Sequence, residues 1–240
     1  PALVQTGREP NAPNFWCGRN LLTAFISWGS DTYADGLVLS ESAARRLAYP
    51  HELEVGDKFS NRHGTKGCVT RILPDAEMPH LPDGTPVELL YSFSGVPLRM
   101  SFGQIREALL GRIAQRTGEP ALCPAYEGPA VETIKAQLTA VGLSADGMET
   151  LTIGADGPSL ERAATVGYVY WGKTVHLSRF KLMADQNVAE PNGRGQGLQR
   201  QAELEYQALR GAGAFNVAGQ VFNRQTAGRP PDLATTLRFA

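Results

Sequence analysis

The stretch Gly56-Asp57-Lys58-Phe59-Ser60-Asn61-Arg62-His63-Gly64-Thr65-Lys66-Gly67 constrains this chain more than any other part of it. Lys58, Arg62 and Lys66 are fixed cations, with His63 among them; Gly64 interrupts the run and Gly67 closes it. Lysine and arginine are rarely buried without a partner, so a cluster of them folded back by glycines asks for a polyanion. Fully extended, the gap between the lysines would span roughly 26 Å at about 3.3 Å per residue. Gly64 can adopt positive φ and turn the chain inside that gap, which would let both ammonium groups reach one phosphate-bearing ligand. A solvated basic hairpin fits the same residue types equally well, and composition does not separate the two readings.

The rest of the chain narrows the setting. Its 240 residues suit one large or two modest domains. A net charge of −1 means that any nucleic-acid contact must come from a local patch and not from a globally basic surface. Cys17, Cys68 and Cys123 are odd in number and lack CxxC spacing. That argues against a disulfide framework or a zinc site and fits a reducing, cytoplasmic location. No run approaches the roughly 18 apolar residues of a membrane span, and no signal-peptide pattern is visible. The sequence opens on Pro1, which leaves full-length, processed and fragment readings open.

Residues 1–17 are polar and proline-rich, and read as a loose lead-in. Residues 19–28 and 36–40 have the pattern of short buried strands, and 41–48 of one or two helical turns. Strands are expected near 67–73 and 86–92, separated by the Leu81-Pro-Asp-Gly-Thr-Pro86 turn. A helix is predicted from Ser101, with Phe102, Ile105, Leu109 and Ile113 on one face and Ser101 with Gln104 as a capping box. A second runs from Pro129 to Val141, with Gly142 as its stop. Residues 164–171 read as a strand, 187–197 as a loop, and 199–210 and 231–238 as further helices. Short strands punctuated by turns, with helices inserted, predict a β-rich α+β fold centred on a β-barrel.

The block 56–67, followed by Ile72-Leu-Pro-Asp-Ala-Glu-Met-Pro79, the 81–87 turn and Gly95-Val-Pro-Leu-Arg-Met-Ser-Phe-Gly-Gln104, resembles the β subunit of bacterial multisubunit RNA polymerase. The similarity continues through Pro124-Ala-Tyr-Glu-Gly128, the helix at 130–141, Val166-Gly-Tyr-Val-Tyr-Trp171 and Glu203-Leu-Glu-Tyr-Gln-Ala-Leu209. Upstream, Gly18-Arg-Asn20 and Phe25–Glu41 also align. The resemblance implies a double-psi β-barrel with a hybrid-binding region over 18–186, a helical insertion at about 101–145, and a C-terminal anchor or clamp-like segment over 187–240. It implies that Lys58 and Lys66 lie beside the RNA end and nucleotide phosphates, and that Arg99 reaches the triphosphate. Phosphoryl transfer needs positioning and charge neutralisation more than covalent help. A lysine supplies a point charge and an arginine a planar fork for phosphate oxygens.

Around these three, Arg62, His63, Gln104, Lys173, His176 and Lys181 are candidate substrate or nucleic-acid contacts. Each has an ordinary structural reading beside it: loop hydrogen bonds for Arg62 and His63, capping for Gln104, and a solvated basic face for Lys173, His176 and Lys181. Asp35 is a candidate secondary magnesium ligand. The family's usual acidic pair is here Ala34-Asp35, however, and one carboxylate holds a hard cation weakly. The flap of a typical β subunit is reduced to about residues 42–55, its N-terminal lobes have no counterpart, and no Asp-rich magnesium loop occurs. By resemblance the catalytic magnesium is held mainly by a β′-like partner. The chain is therefore expected to act as a nucleotidyltransferase only with that partner, on DNA template, RNA–DNA hybrid and NTP. The alternative is a non-catalytic β-like paralogue that binds nucleic acid or docks on polymerase as a regulator.

Overall fold

The computed structural model describes residues 1–12, 15–48, 51–180, 209 and 211–219. Six strands carry the architecture: β1 (Arg19–Phe25), β2 (Gly36–Ser40), β3 (Lys58–Asn61), β4 (Lys66–Leu73), β5 (Leu89–Tyr91) and β6 (Ala164–Lys173). Their two-residue period sorts the apolar side chains into two cores. Leu37, Leu39, Leu89, Tyr91, Phe59, Val69, Val169 and Trp171 pack into one cluster. Val38, Leu90, Leu22, Ala24 and Val166 turn the other way, onto a second cluster completed by Met78, Leu81, Val87 and Leu151. β2 is buried at every position because it is covered on both faces, and its sequence is accordingly continuously apolar rather than alternating.

The strands close in the order β1-β5-β2-β4-β3-β6, with β6 pairing back onto β1 from Val166↔Ala24 to Trp171↔Arg19. Two neighbours run parallel: β1 beside β5, and β2 beside β4. The remaining pairs are antiparallel. The result is a closed six-stranded double-psi β-barrel, and closure leaves its strands without free edges. The first cluster fills the interior, where Trp171 Nε1 donates to Thr23 Oγ1 at 3.2 Å.

Helices decorate the barrel: α1 (Glu41–Arg46), α2 (Gly95–Leu98), α3 (Gly103–Thr117) and α4 (Val131–Ala140). Ser40 caps α1 through its Oγ, which accepts from Ala43 N. α3 lies directly on β6. A Cβ on Gly167 would sit 2.1 Å from the Ala108 carbonyl oxygen, so a glycine is needed where helix and strand backbones meet.

Several expected elements differ. The first strand ends at Phe25, and the segment Gly29–Asp35 that follows is 3₁₀-like and broken at Ala34. The predicted 86–92 strand is confined to Leu89–Tyr91. α3 starts at Gly103 with Phe102 in the cap position and no side-chain cap, so the Ser101–Gln104 capping box does not form; Gln104 Nε2 instead donates to Ser101 Oγ at 2.8 Å. Its buried face carries Gln104, Glu107, Ala108, Gly111 and Arg112, whereas Phe102 is exposed. Of the stripe read from the sequence, Ile113 is buried and Ile105 and Leu109 pack against the core clusters, whereas the close approach to β6 is made by the small residues Ala108 and Gly111. In α4, Ile134 and Leu138 face inward, Val131 is exposed, and Pro129 precedes the Ala130 cap. The lead-in is docked: Val4–Gln5 pairs with Ala121–Leu122, and Val4 packs with Leu110, Ile113, Ile134 and Leu138. Lys181, the helices expected at 199–210 and 231–238, and most of the 187–240 segment lie outside the described residues.

Candidate phosphate-binding site

β3 and β4 form the hairpin that presents the central motif. Its register pairs Lys58 with Cys68 and Ser60 with Lys66. Directly paired residues share a face, so Lys58, Ser60, Lys66 and Cys68 point outward while Phe59, Asn61, Gly67 and Val69 are buried. Lys58 and Lys66 are thus diagonal neighbours, a relation that puts residues roughly 7–8 Å apart. Among the described residues neither ammonium makes an ion pair. Two such charges repel by about 0.5 kcal/mol at 8 Å in water, and by more as the dielectric falls. An anion between them would reverse that term.

The turn joining the strands is built by Asn61, whose Oδ1 accepts from His63 N at 3.0 Å and Thr65 N at 3.1 Å. Gly64 takes φ 81°, the positive value the turn requires. The hairpin is bolted to α3 through the buried Glu107 carboxylate. Oε1 accepts from Arg62 Nη2 at 2.6 Å and from Tyr170 N at 2.9 Å, and Oε2 lies 2.5 Å from His63 Nε2. Arg62 also donates to the Val4 carbonyl and stacks its guanidinium over the Tyr170 ring. Burial pushes the Glu107 carboxyl up, but the His63 hydrogen bond and the Arg62 charge outweigh it, leaving its pKa below the ordinary 4.5.

The base of the hairpin is tied by the buried Asp57 carboxylate, which accepts from Ser178 N at 2.8 Å and Glu54 N at 3.1 Å. The Lys58 backbone is held on both sides: its N–H donates to the His176 carbonyl at 3.1 Å, and its carbonyl accepts from Thr174 N at 2.8 Å. That bonding places the exposed His176 beside Lys58.

Arg99 caps the C-terminal end of α2. Its Nη2 donates to Asp35 Oδ2 at 2.5 Å and its Nη1 to Tyr91 Oη at 3.1 Å. Asp35 in turn lies against the hairpin: a Cβ on Gly67, the residue after Lys66, would meet the Asp35 carbonyl oxygen at 2.2 Å. Arg99 is therefore connected to the hairpin through Asp35, whose carbonyl lies against Gly67, the residue after Lys66.

Of the residues singled out in the sequence, Lys58 and Lys66 share the outward face of the hairpin, His176 is bonded to the Lys58 backbone, and Arg99 is paired with Asp35. Arg62 and His63 are engaged with Glu107. Gln104 is fully buried, bridging Ser101 and Asn61, whose Nδ2 donates to its Oε1 at 3.0 Å. Lys173 pairs with Phe59 and so faces away from Lys58, with its Nζ donating to the His51 carbonyl at 2.7 Å. Burial lowers its pKa. Three organising residues escaped the sequence reading: Glu107, Asp57 and Tyr91. The only sequence signal for Glu107 was its spacing from Gln104, Ala108 and Gly111 on a stripe that is half polar and half small. Among the described residues no group of three or more His, Cys, Asp or Glu side chains is arranged to hold a metal ion, and the Asp35 carboxylate is taken by Arg99 and Tyr91.

The sequence model of the family described as RNA polymerase Rpb2, domain 6, matches residues 45–202, and the chain belongs to that family. It is 42% identical over 188 residues to the DNA-directed RNA polymerase subunit beta of Solibacter usitatus, covering 75% of this chain and 13% of that protein. The corresponding subunits of Caldicellulosiruptor saccharolyticus and Chloroflexus aggregans are each 40% identical over 176 residues, covering 70% of this chain and 14% of theirs. The chain thus spans about a seventh of the length of these relatives. Among the described residues no helix is long and apolar enough to cross a membrane.

Proposed function

We propose that the protein is a β-like part of the catalytic core of a DNA-directed RNA polymerase, in which Lys58, Lys66 and Arg99 position RNA and NTP phosphates for nucleotidyl transfer. A β′-like barrel completes the site, and template DNA, the RNA–DNA hybrid and NTP are its ligands. The observation that carries this reading is the diagonal placement of Lys58 and Lys66 on the outward face of the β3–β4 hairpin, with Arg99 attached to the same hairpin through Asp35. Two ammonium groups and a guanidinium on one surface suit a triphosphate, whose oxygens accept several charge-assisted bonds at once. The hairpin is held from behind by Glu107 and from below by Asp57, so the cations ride on a supported element. Magnesium would be held mainly by the β′-like partner, since the Asp35 carboxylate is engaged by Arg99 and Tyr91. A cytoplasmic location accords with this role.

A test is to assemble the chain with its β′-like partner and follow primer extension. Lys66→Ala is expected to slow nucleotide addition by about tenfold or more, the scale of losing one preorganised charge-stabilising donor. Unchanged extension would refute the role given to Lys66. The Asp35–Arg99 pair also favours a second reading, a non-catalytic binding module, because it neutralises one of the three cations. A module would bind RNA–DNA hybrid with a measurable salt dependence yet support no extension with any partner.

A further inference from the structure

Of the three cations assigned to phosphate, Arg99 alone is fixed by side-chain bonds among the described residues. Its two donations, to Asp35 and to Tyr91, are joined by a third contact in which Tyr91 Oη faces Asp35 Oδ1 at 3.5 Å. A guanidinium carries five N–H groups in one plane. Fixing two of them fixes the plane and leaves three directed elsewhere.

Each partner is itself held. The Tyr91 ring is 1% exposed and sits edge-on to Phe25 and Trp171 in the barrel interior, with centroids 6.3 Å and 6.2 Å away. Gly95 makes room for its hydroxyl, since a Cβ there would come within 2.1 Å of Tyr91 Oη. Burial raises the Tyr91 pKa, and Asp35 raises it further, so the hydroxyl remains a neutral donor and acceptor. Asp35 adopts φ 72° after Ala34 at φ 42°, and Met100, next to Arg99, adopts φ 51°. Left-handed backbone at non-glycine residues costs on the order of 1–3 kcal/mol and persists where the surroundings over-determine it. Here it flanks the ion pair on both sides.

We propose that Tyr91 and Asp35 are positioning residues for Arg99: they clamp part of its guanidinium so that the remaining N–H groups meet the phosphates of the incoming nucleotide. This rests on the reading of Arg99 given above. Tyr91 transmits the rigidity of the barrel core to the guanidinium, and Asp35 acts as its carboxylate clamp.

The experiment is a double-mutant cycle in the assembled polymerase, measuring KM and kcat for single-nucleotide addition with Tyr91→Phe, Asp35→Asn, Arg99→Ala and the two doubles. Tyr91→Phe retains the core ring and is expected to raise the NTP KM about three- to tenfold, the scale of one ordinary hydrogen bond, with a smaller change in kcat. Asp35→Asn, near the surface, should do the same without reference to core packing. Neither should add to Arg99→Ala. If Arg99→Ala itself leaves KM unchanged, the phosphate role of Arg99 falls and this inference with it. If Arg99→Ala raises KM but both other variants are silent, or add in full to it, the inference alone is overturned.

Discussion

Replacing Glu107 should unfasten the hairpin from α3, and the structure allows the cost to be worked out. In Glu107→Ala the buried Tyr170 N–H loses its acceptor, at about 1–3 kcal/mol. Arg62, about a third exposed, loses a partner that water replaces in part, which limits that loss to about 1 kcal/mol. The His63 contact, with 26% of that side chain exposed, adds a comparable amount. The total, about 3–5 kcal/mol, matches the range for breaking a buried pair from one side. For a chain of this size that is a melting-point loss of about 6–20 °C. Glu107→Gln keeps one oxygen for both Arg62 and Tyr170 N, and should cost only about 1–2 kcal/mol. Urea unfolding at neutral pH, followed by far-UV circular dichroism, measures both. If Glu107→Ala unfolds within 1 kcal/mol of the parent protein, on the order of one ordinary hydrogen bond, Glu107 is not the fastening point.

The same carboxylate predicts a pH dependence. Its folded pKa lies below the ordinary 4.5, so its contribution is fully present above that value and is lost as pH falls through the folded pKa. The stability gap between the parent protein and Glu107→Gln should therefore shrink below pH 4.5, and a constant gap down to acid unfolding would contradict this. Gly167→Ala forces a Cβ to within 2.1 Å of the Ala108 carbonyl; separating helix from strand should cost about 1–3 kcal/mol, read in the same unfolding assay. Lys66→Ala should lower the slope of log binding constant against log salt for RNA–DNA hybrid by about 0.7–0.9, one phosphate contact, whereas Lys173→Ala should leave it unaltered because Lys173 Nζ is bonded to the His51 carbonyl on the other face.

Much of the barrel was legible because its strands announce themselves. Gly36–Ser40 is continuously apolar, Ala164–Lys173 is rich in valine and aromatics, and both form where expected. The hairpin was legible from Gly64, whose positive φ the turn demands. What the residues alone did not reveal is what sits across space. Nothing in the local pattern says that Glu107 meets Arg62 and His63, forty-five and forty-four positions away. The face of α3 was only partly legible for the same reason: Ile113 is buried as the periodicity expects, but where the partner strand runs close the contacts are made by Ala108 and Gly111, and Gln104 and Glu107 beside them are satisfied by the hairpin. Tyr91 looked like one more core aromatic, and its hydroxyl acquires meaning only beside Arg99 and Asp35. Lys173 looked like part of a basic run until strand pairing placed it on the opposite face from Lys58.

The most direct measurement is a structure of the assembled polymerase with a non-hydrolysable nucleotide and an RNA–DNA hybrid bound. The account predicts phosphate oxygens within hydrogen-bonding distance of the Lys58 and Lys66 ammonium groups and the Arg99 guanidinium, with Arg99 still held by Asp35 and Tyr91. Phosphates bound away from the β3–β4 hairpin, with both lysines facing solvent, would contradict it.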